Sequence, residues 1–181
     1  MKDLSLNLLD IAENSVKAGA TLTQLRLTQE ASILTFQVVD DGCGMTEEIL
    51  RGVVDPFYTT RTTRKVGLGI PMMMENAQRA GGDLTIESEV GKGTTLKVTY
   101  DTRNIDSLPM GDLAGTILSL ILVNPDKPDF LFEGKSPAGE GSFDTREVRA
   151  VLSGVPLNEP AVTAWMKEAL EETINPIFGG V

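Results

Sequence analysis

Asp40-Asp41-Gly42-Cys43-Gly44-Met45 closes a strand-like run, residues 33–40, in which Leu34, Phe36 and Val38 alternate with polar partners. A carboxylate leaving a sheet accepts a hydrogen bond from an exocyclic amine such as adenine's. The flanking Gly42 and Gly44 allow backbone to approach a flat ring closely. Alone, the segment reads equally well as a glycine-rich turn after a strand, so its neighbours in sequence decide its meaning.

On its N-terminal side, residues 4–17 predict a helix with an apolar stripe of Leu4, Leu8, Leu9, Ile11, Ala12 and Val16, stopped by Gly19. Thr21–Thr28 predicts a strand antiparallel to 33–40 through the polar link Gln29–Ser32. Asn7, Asp10 and Asn14, three and four residues apart, fall on one helix face turned away from the stripe. A carboxylate and two amides in line suit a hard cation, and Mg²⁺ takes only one or two protein oxygens before filling its shell with water and phosphate. Asn14 supplies such an oxygen, and Asp10, one turn earlier, orients or deprotonates a water. By itself this reads first as a solvated polar face.

On the C-terminal side, Thr46 caps a short helix opening with Glu47 and Glu48. A Thr-rich basic loop spans residues 59–66, and a helix follows Gly69, with Pro71 in its first turn and its end at Gly81-Gly82. Gly67, Leu68 and Gly69 at that helix start offer amide donors to an anion, and Arg61, Arg64 and Lys65 add charge-assisted phosphate contacts. The Walker pattern of a Gly-rich loop ending in Lys-Ser or Lys-Thr is absent, which excludes the common NTPase cradle. A hairpin of 84–88 and 94–100 turns at Gly91 and Gly93 and carries Gly91-Lys92-Gly93-Thr94-Thr95.

Taken in order, these segments resemble the GHKL superfamily of histidine kinases, gyrase-type ATPases, mismatch-repair ATPases and anti-sigma-factor kinases. Asp10-Ile11-Ala12-Glu13-Asn14-Ser15 with Ala18-Gly19-Ala20 looks like its N box, and Asp40 to Met45 like its first glycine box. Asp55-Pro56-Phe57 looks like the F box of histidine kinases, Gly67-Leu68-Gly69-Ile70 like the second glycine box, and Gly93-Thr94 like the terminal Gly-Thr. The resemblance covers residues 4–100. It implies ATP and Mg²⁺ as cofactors, with Asn14 on the metal, Asp40 on the adenine amine, and Gly42, Gly44 and Met45 shaping the pocket. It further implies an ATP lid over residues 58–66 and phosphate contacts at Gly67 and Gly69. The implied fold is the Bergerat ATP-binding fold, a two-layer α/β (α+β) sandwich with helices on one face of a mixed, mainly antiparallel sheet.

Departures from the family pattern shape the expected activity. Asp10 stands where ATPase members of the family usually carry glutamate, which predicts slow hydrolysis or none. Neighbouring helix residues point about 100° apart, so Glu13 is no substitute and is expected to pair with Lys17 on the surface. Lys65-Val66 replaces the glycine that often opens the second box, and the lid is short. The chain opens in the N-box helix, which leaves an upstream sensor out of the expectation. These residues also contain no histidine, so a phosphoryl group bound for histidine must go to another chain. The expectation is a regulatory kinase acting in trans in signal transduction, with a switch ATPase and a non-enzymatic nucleotide sensor as competing readings.

The remaining residues differ in character. The formal charge is −10, with 26 acidic against 16 basic residues, a field that repels phosphate backbones and anionic lipid. It predicts no nucleic-acid partner and no membrane partner. Residues 104–181 are much the more acidic part, so the boundary is drawn at 1–103 for the ATP-binding domain and 104–181 for a smaller mixed α/β region serving a protein partner or self-association as a homo-oligomer. Within it, helices are expected over 112–123, from a capping box at Asp144 and Glu147 to about Leu152, and from Glu159-Pro160 onward. A strand is expected over 129–133 and a Gly/Pro loop over 136–141, with Trp165 and Met166 in the core. Cys43 is the only cysteine and no leader opens the chain, so a cytoplasmic location is expected.

Overall fold

The computed structural model describes residues 3–54 and 69–179. Helix α1 (Leu4–Lys17) forms as its spacing predicts, burying Leu4, Leu8, Ile11 and Ala12, with the Asp3 carboxylate accepting from the Leu6 amide at 3.0 Å as its N-cap. Strand β1 (Leu22–Glu30) turns at Ala31 into β2 (Ile33–Asp40), paired antiparallel from Glu30 opposite Ile33 to Thr23 opposite Asp40. Helix α2 (Glu47–Val53) starts at Thr46, whose hydroxyl accepts from the Ile49 amide at 3.3 Å. Helix α3 (Gly69–Arg79) leads to the hairpin of β3 (Leu84–Glu89) and β4 (Gly93–Asp101).

The later residues build α4 (Leu113–Val123), β5 (Asp129–Ser136), β6 (Gly139–Asp144), α5 (Thr145–Leu152) and α6 (Pro160–Phe178). They extend the same sheet. Strand order is β3-β4-β2-β1-β5-β6, antiparallel except where β5 runs parallel to β1. One face, carrying Leu25, Leu27, Phe36, Val38, Val98, Phe130 and Phe132, packs into a core shared with the helices. The other face is polar, with Arg26 on β1 bridging to Glu133 on β5 at 2.7 Å. This is the two-layer Bergerat arrangement, continuous across residue 104. The linking segment ties back to α1, where the Leu4 and Ser5 amides donate to the Pro109 and Met110 carbonyls, each at 2.9 Å. Those two donors belong to the first turn of α1, which has no partner for them within the helix.

Three expectations about the later residues are corrected. The loop expected over 136–141 is largely strand: β6 begins at Gly139, paired with Ser136. Gly139 and Gly141 hide its alternation, and a Cβ at Gly141 would come within 3.0 Å of the Thr173 methyl on α6, so glycine there serves packing. At α5, Asp144 caps the Arg146 amide at 2.9 Å, one residue short of the capping-box position. On α6, Met166 is fully buried but Trp165 is 53% exposed, because the core face runs through Val162, Met166, Leu170 and Ile174.

Candidate functional site

Asp40, the last residue of β2, is nearly buried and oriented from two sides. Its Oδ2 accepts from the Ser15 hydroxyl of α1 at 2.8 Å, and its Oδ1 accepts from the Gly42 amide at 2.9 Å. Each carboxylate oxygen carries two lone pairs, so one acceptor position on each remains for a ligand. Asp41 has a different task. Its carboxylate takes the Thr21 hydroxyl and the Thr21 and Leu22 amides, the amides at 2.7 and 3.0 Å, fixing the turn between α1 and β1. Partial burial raises its pKa, but the Thr21 hydroxyl and these amides outweigh burial and hold it below the ordinary carboxylate value.

The glycines of this segment are required by backbone contact. A Cβ at Gly42 would lie 2.7 Å from the Ala18 Cβ, and one at Gly44, where φ is +66°, would lie 2.0 Å from the Glu89 carbonyl oxygen. Gly93, at φ +108°, meets the Asp40 carbonyl oxygen in the same way at 1.9 Å. Cys43 donates its amide to the Ala18 carbonyl and accepts from Gly91, each at 2.9 Å, so α1, this loop and the β3–β4 turn form one frame. Ser88 completes it. Its hydroxyl accepts from the Met45 amide at 2.9 Å and lies 2.9 Å from the Thr94 hydroxyl.

Above Asp40 opens a cavity of about 490 Å³. Ile11, Met45, Val53, Ile70, Ile86 and Leu96 supply apolar wall; Asp10, Glu13, Asn14, Ser15, Lys17, Asp40 and Thr94 supply polar wall, with Cys43, Gly44 and Gly69 also lining it. Asp10 and Asn14 thus share the cavity as their spacing predicts, and Asp10 sits against the start of α3, its Oδ2 3.4 Å from where a Gly69 Cβ would stand. Burial and then the neighbouring Glu13 raise the Asp10 pKa, while Lys17, itself paired with Glu13 at 3.4 Å, pulls the other way. The carboxylate is therefore a stronger base than a free aspartate.

Asn7 does not reach the cavity. Seven residues of helix carry it roughly 10 Å along the axis from Asn14, where α1 presses on the sheet. Asn7 is 2% exposed, and neither its amide atoms nor the buried Tyr100 hydroxyl makes a well-formed hydrogen bond. Burial pushes the Tyr100 phenol above its ordinary range, with the Asn7 side chain opposing. Arg61, Arg64, Lys65, Gly67, Leu68, the lid and Asp55-Pro56-Phe57 lie outside the described residues. Residues that site reasoning passed over are Ser15, which aims Asp40, Ser88, and the walls Ile86 and Leu96. The alternation of Leu84, Ile86 and Ser88 is the signal for those on β3.

The family's nucleotide fits this frame, with free acceptor positions on a held carboxylate under a mainly apolar slot. Among the described residues no group of three His, Cys, Asp or Glu is placed to hold a metal ion. A cation completed by phosphate and water needs only the Asn14 oxygen and a neighbour. A one-faced sheet, an oriented carboxylate at a strand end and a helix carrying Asp10 and Asn14 define an ATP-binding domain of the Bergerat kind. Residues 2–104, more than half the chain, match the family described as histidine kinase-, DNA gyrase B- and HSP90-like ATPase, and the chain belongs to that family.

Among curated relatives, it is 30% identical over 128 residues to the sensor kinase CckA of Brucella abortus (strain 2308), covering 62% of this chain and 14% of that protein. It is 32% identical over 104 residues to sporulation kinase C of Bacillus subtilis (strain 168), covering 58% and 24%. The chain therefore spans less than a quarter of either relative. Of the solved structures, the N-terminal domain of a DNA repair protein shares the fold at a TM-score of 0.57 and 12% identity, covering 79% of this chain and 53% of that one. That likeness extends beyond the residues matched by the family.

Proposed function

We propose that the chain binds Mg²⁺·ATP in the cavity above Asp40 and directs its γ-phosphoryl group to an acceptor on a partner protein. The observation that carries this reading is the Asp40 carboxylate, oriented by Ser15 and Gly42, opening into the cavity that also presents Asp10 and Asn14. Asp40 accepts the exocyclic amine, with Ile86 and Leu96 among the walls beside the ring. Asn14 offers its amide oxygen to the cation. Asp10 takes the proton from the attacking group, and its raised pKa suits that task. The nucleotide supplies the phosphoryl group and leaves as ADP; the protein contributes positioning and charge neutralisation. These 181 residues contain no histidine, so a histidine acceptor lies outside them.

The test uses the full chain with γ-labelled ATP and Mg²⁺, following free phosphate and protein-bound label, with Asn14→Ala as control. ATP binding that Asn14→Ala weakens, with little phosphate release until a partner is added and labelled, supports the proposal. Steady phosphate release without any partner, abolished by Asn14→Ala, replaces it with a switch ATPase. Tight binding with neither release nor labelling under all partner conditions replaces it with a nucleotide sensor.

A further inference from the structure

Helix α6 carries its apolar core face inward, and on its outer side stand Ala161, Ala164, Trp165, Glu168 and Glu172, all exposed. Steps of three and four residues make this one continuous stripe, with successive Cβ atoms about 5–6 Å apart. Trp165 is the only tryptophan of the chain and is 53% exposed. Ala161 and Ala164 stand on the N-terminal side of Trp165 in the stripe, and Glu168 and Glu172 follow about one and two turns beyond it. Among the described residues Glu168 and Glu172 have no ion-pair partner, whereas Glu171 bridges Lys167 at 3.9 Å.

We propose that this stripe is the docking surface for an arginine-bearing, cationic segment of another protein. An exposed indole face attracts a guanidinium, most strongly when the pair is desolvated, and the carboxylates one and two turns further on accept N–H donors from arginines that follow it in the same segment. Charge selects among the occupants. Residues 104–181 hold 12 acidic and 5 basic residues, so nucleic acid and anionic lipid are repelled. A second copy docked through a two-fold axis would bring the same stripe, with no cation on it, so that the carboxylates of both copies would share one interface without a counter-charge. A cationic protein segment satisfies the indole and both carboxylates together. This surface is built from α6 and stands apart from the cavity, so the inference holds whatever chemistry the cavity performs.

The lone tryptophan makes the test site-specific. The full chain is titrated with a twelve-residue peptide of alternating Arg and Ala while indole emission is followed, and the Glu/Ala peptide serves as counter-probe. The expected result is a saturable emission change with the Arg peptide alone, with affinity reduced roughly tenfold or more by Glu168→Lys/Glu172→Lys. Glu87→Lys/Asp106→Lys, the same charge change elsewhere on the surface, is expected to leave affinity within about twofold, since distant exposed charges are screened. No emission change, or equal loss in both double variants, overturns the proposal, the latter by reducing it to diffuse attraction. A dimer in sedimentation that Trp165→Ala dissociates also overturns it, assigning the stripe to a second copy.

Discussion

Asp10 and Asp41 lie on opposite sides of one electrostatic divide, and their surroundings explain it. Asp41 is surrounded by donors, so its pKa is lowered; Asp10 meets burial and Glu13, so its pKa is raised above 3.8. A carboxylate whose folded pKa is raised favours the folded state at low pH, and that contribution is lost as pH rises through the folded value. Asp10 is thus a small liability at neutral pH. Asp10→Asn is expected to abolish phosphoryl transfer while leaving ATP binding within a fewfold, and to raise the melting temperature at pH 7 but not at pH 3. Parallel calorimetry and nucleotide titration check both. In the native protein, turnover should fall as pH drops through the raised Asp10 value, because only the ionised carboxylate accepts a proton.

Elements differ in how openly the sequence declares them. Helix α1 and strand β2 have the bounds that their patterns predict, because each buries one face and exposes the other. The Asp40 frame was legible for the same reason: carboxylate, glycines and strand end are contiguous. Ser88 was not, because it meets Met45 from 43 residues away and only the β3–β4 register brings it there. Asn7 misled because helical spacing reports direction around the axis and says nothing of what presses on each turn. Strand β6 was hidden by Gly139 and Gly141, and the reason for Gly141 lies on α6. The junction of β5 and α5 is another contact that local pattern conceals: the fully buried Thr145 hydroxyl donates to Asp129 Oδ1 at 2.8 Å and accepts from the Phe130 amide at 2.9 Å, and Arg149 bridges the same carboxylate oxygen at 2.8 Å. Thr145→Val keeps the shape but leaves a buried amide unpaired. It should cost about 1–3 kcal/mol of unfolding free energy in denaturant titration, with nucleotide affinity unchanged.

At the scale of the molecule, the family's extent and the folding unit do not coincide. The family match ends at residue 104, yet β1 is completed by β5, and the first turn of α1 is held by carbonyls at Pro109 and Met110. Ending the chain after residue 103 strips the parallel partner from β1 along Leu22–Thr28 and uncaps two amides of α1. Such a fragment is expected to melt without cooperativity and to associate through its bared edge. A soluble monomer with a sharp transition and full nucleotide affinity would show the fragment to be self-sufficient. The parallel pairing of β1 with β5 also has a consequence in time. About a hundred residues must be synthesised between the two strands, and at ribosomal speeds that is on the order of ten seconds. Throughout that interval the nascent chain presents an unsatisfied strand edge next to Leu25 and Leu27, so this protein is most open to mispairing before it leaves the ribosome.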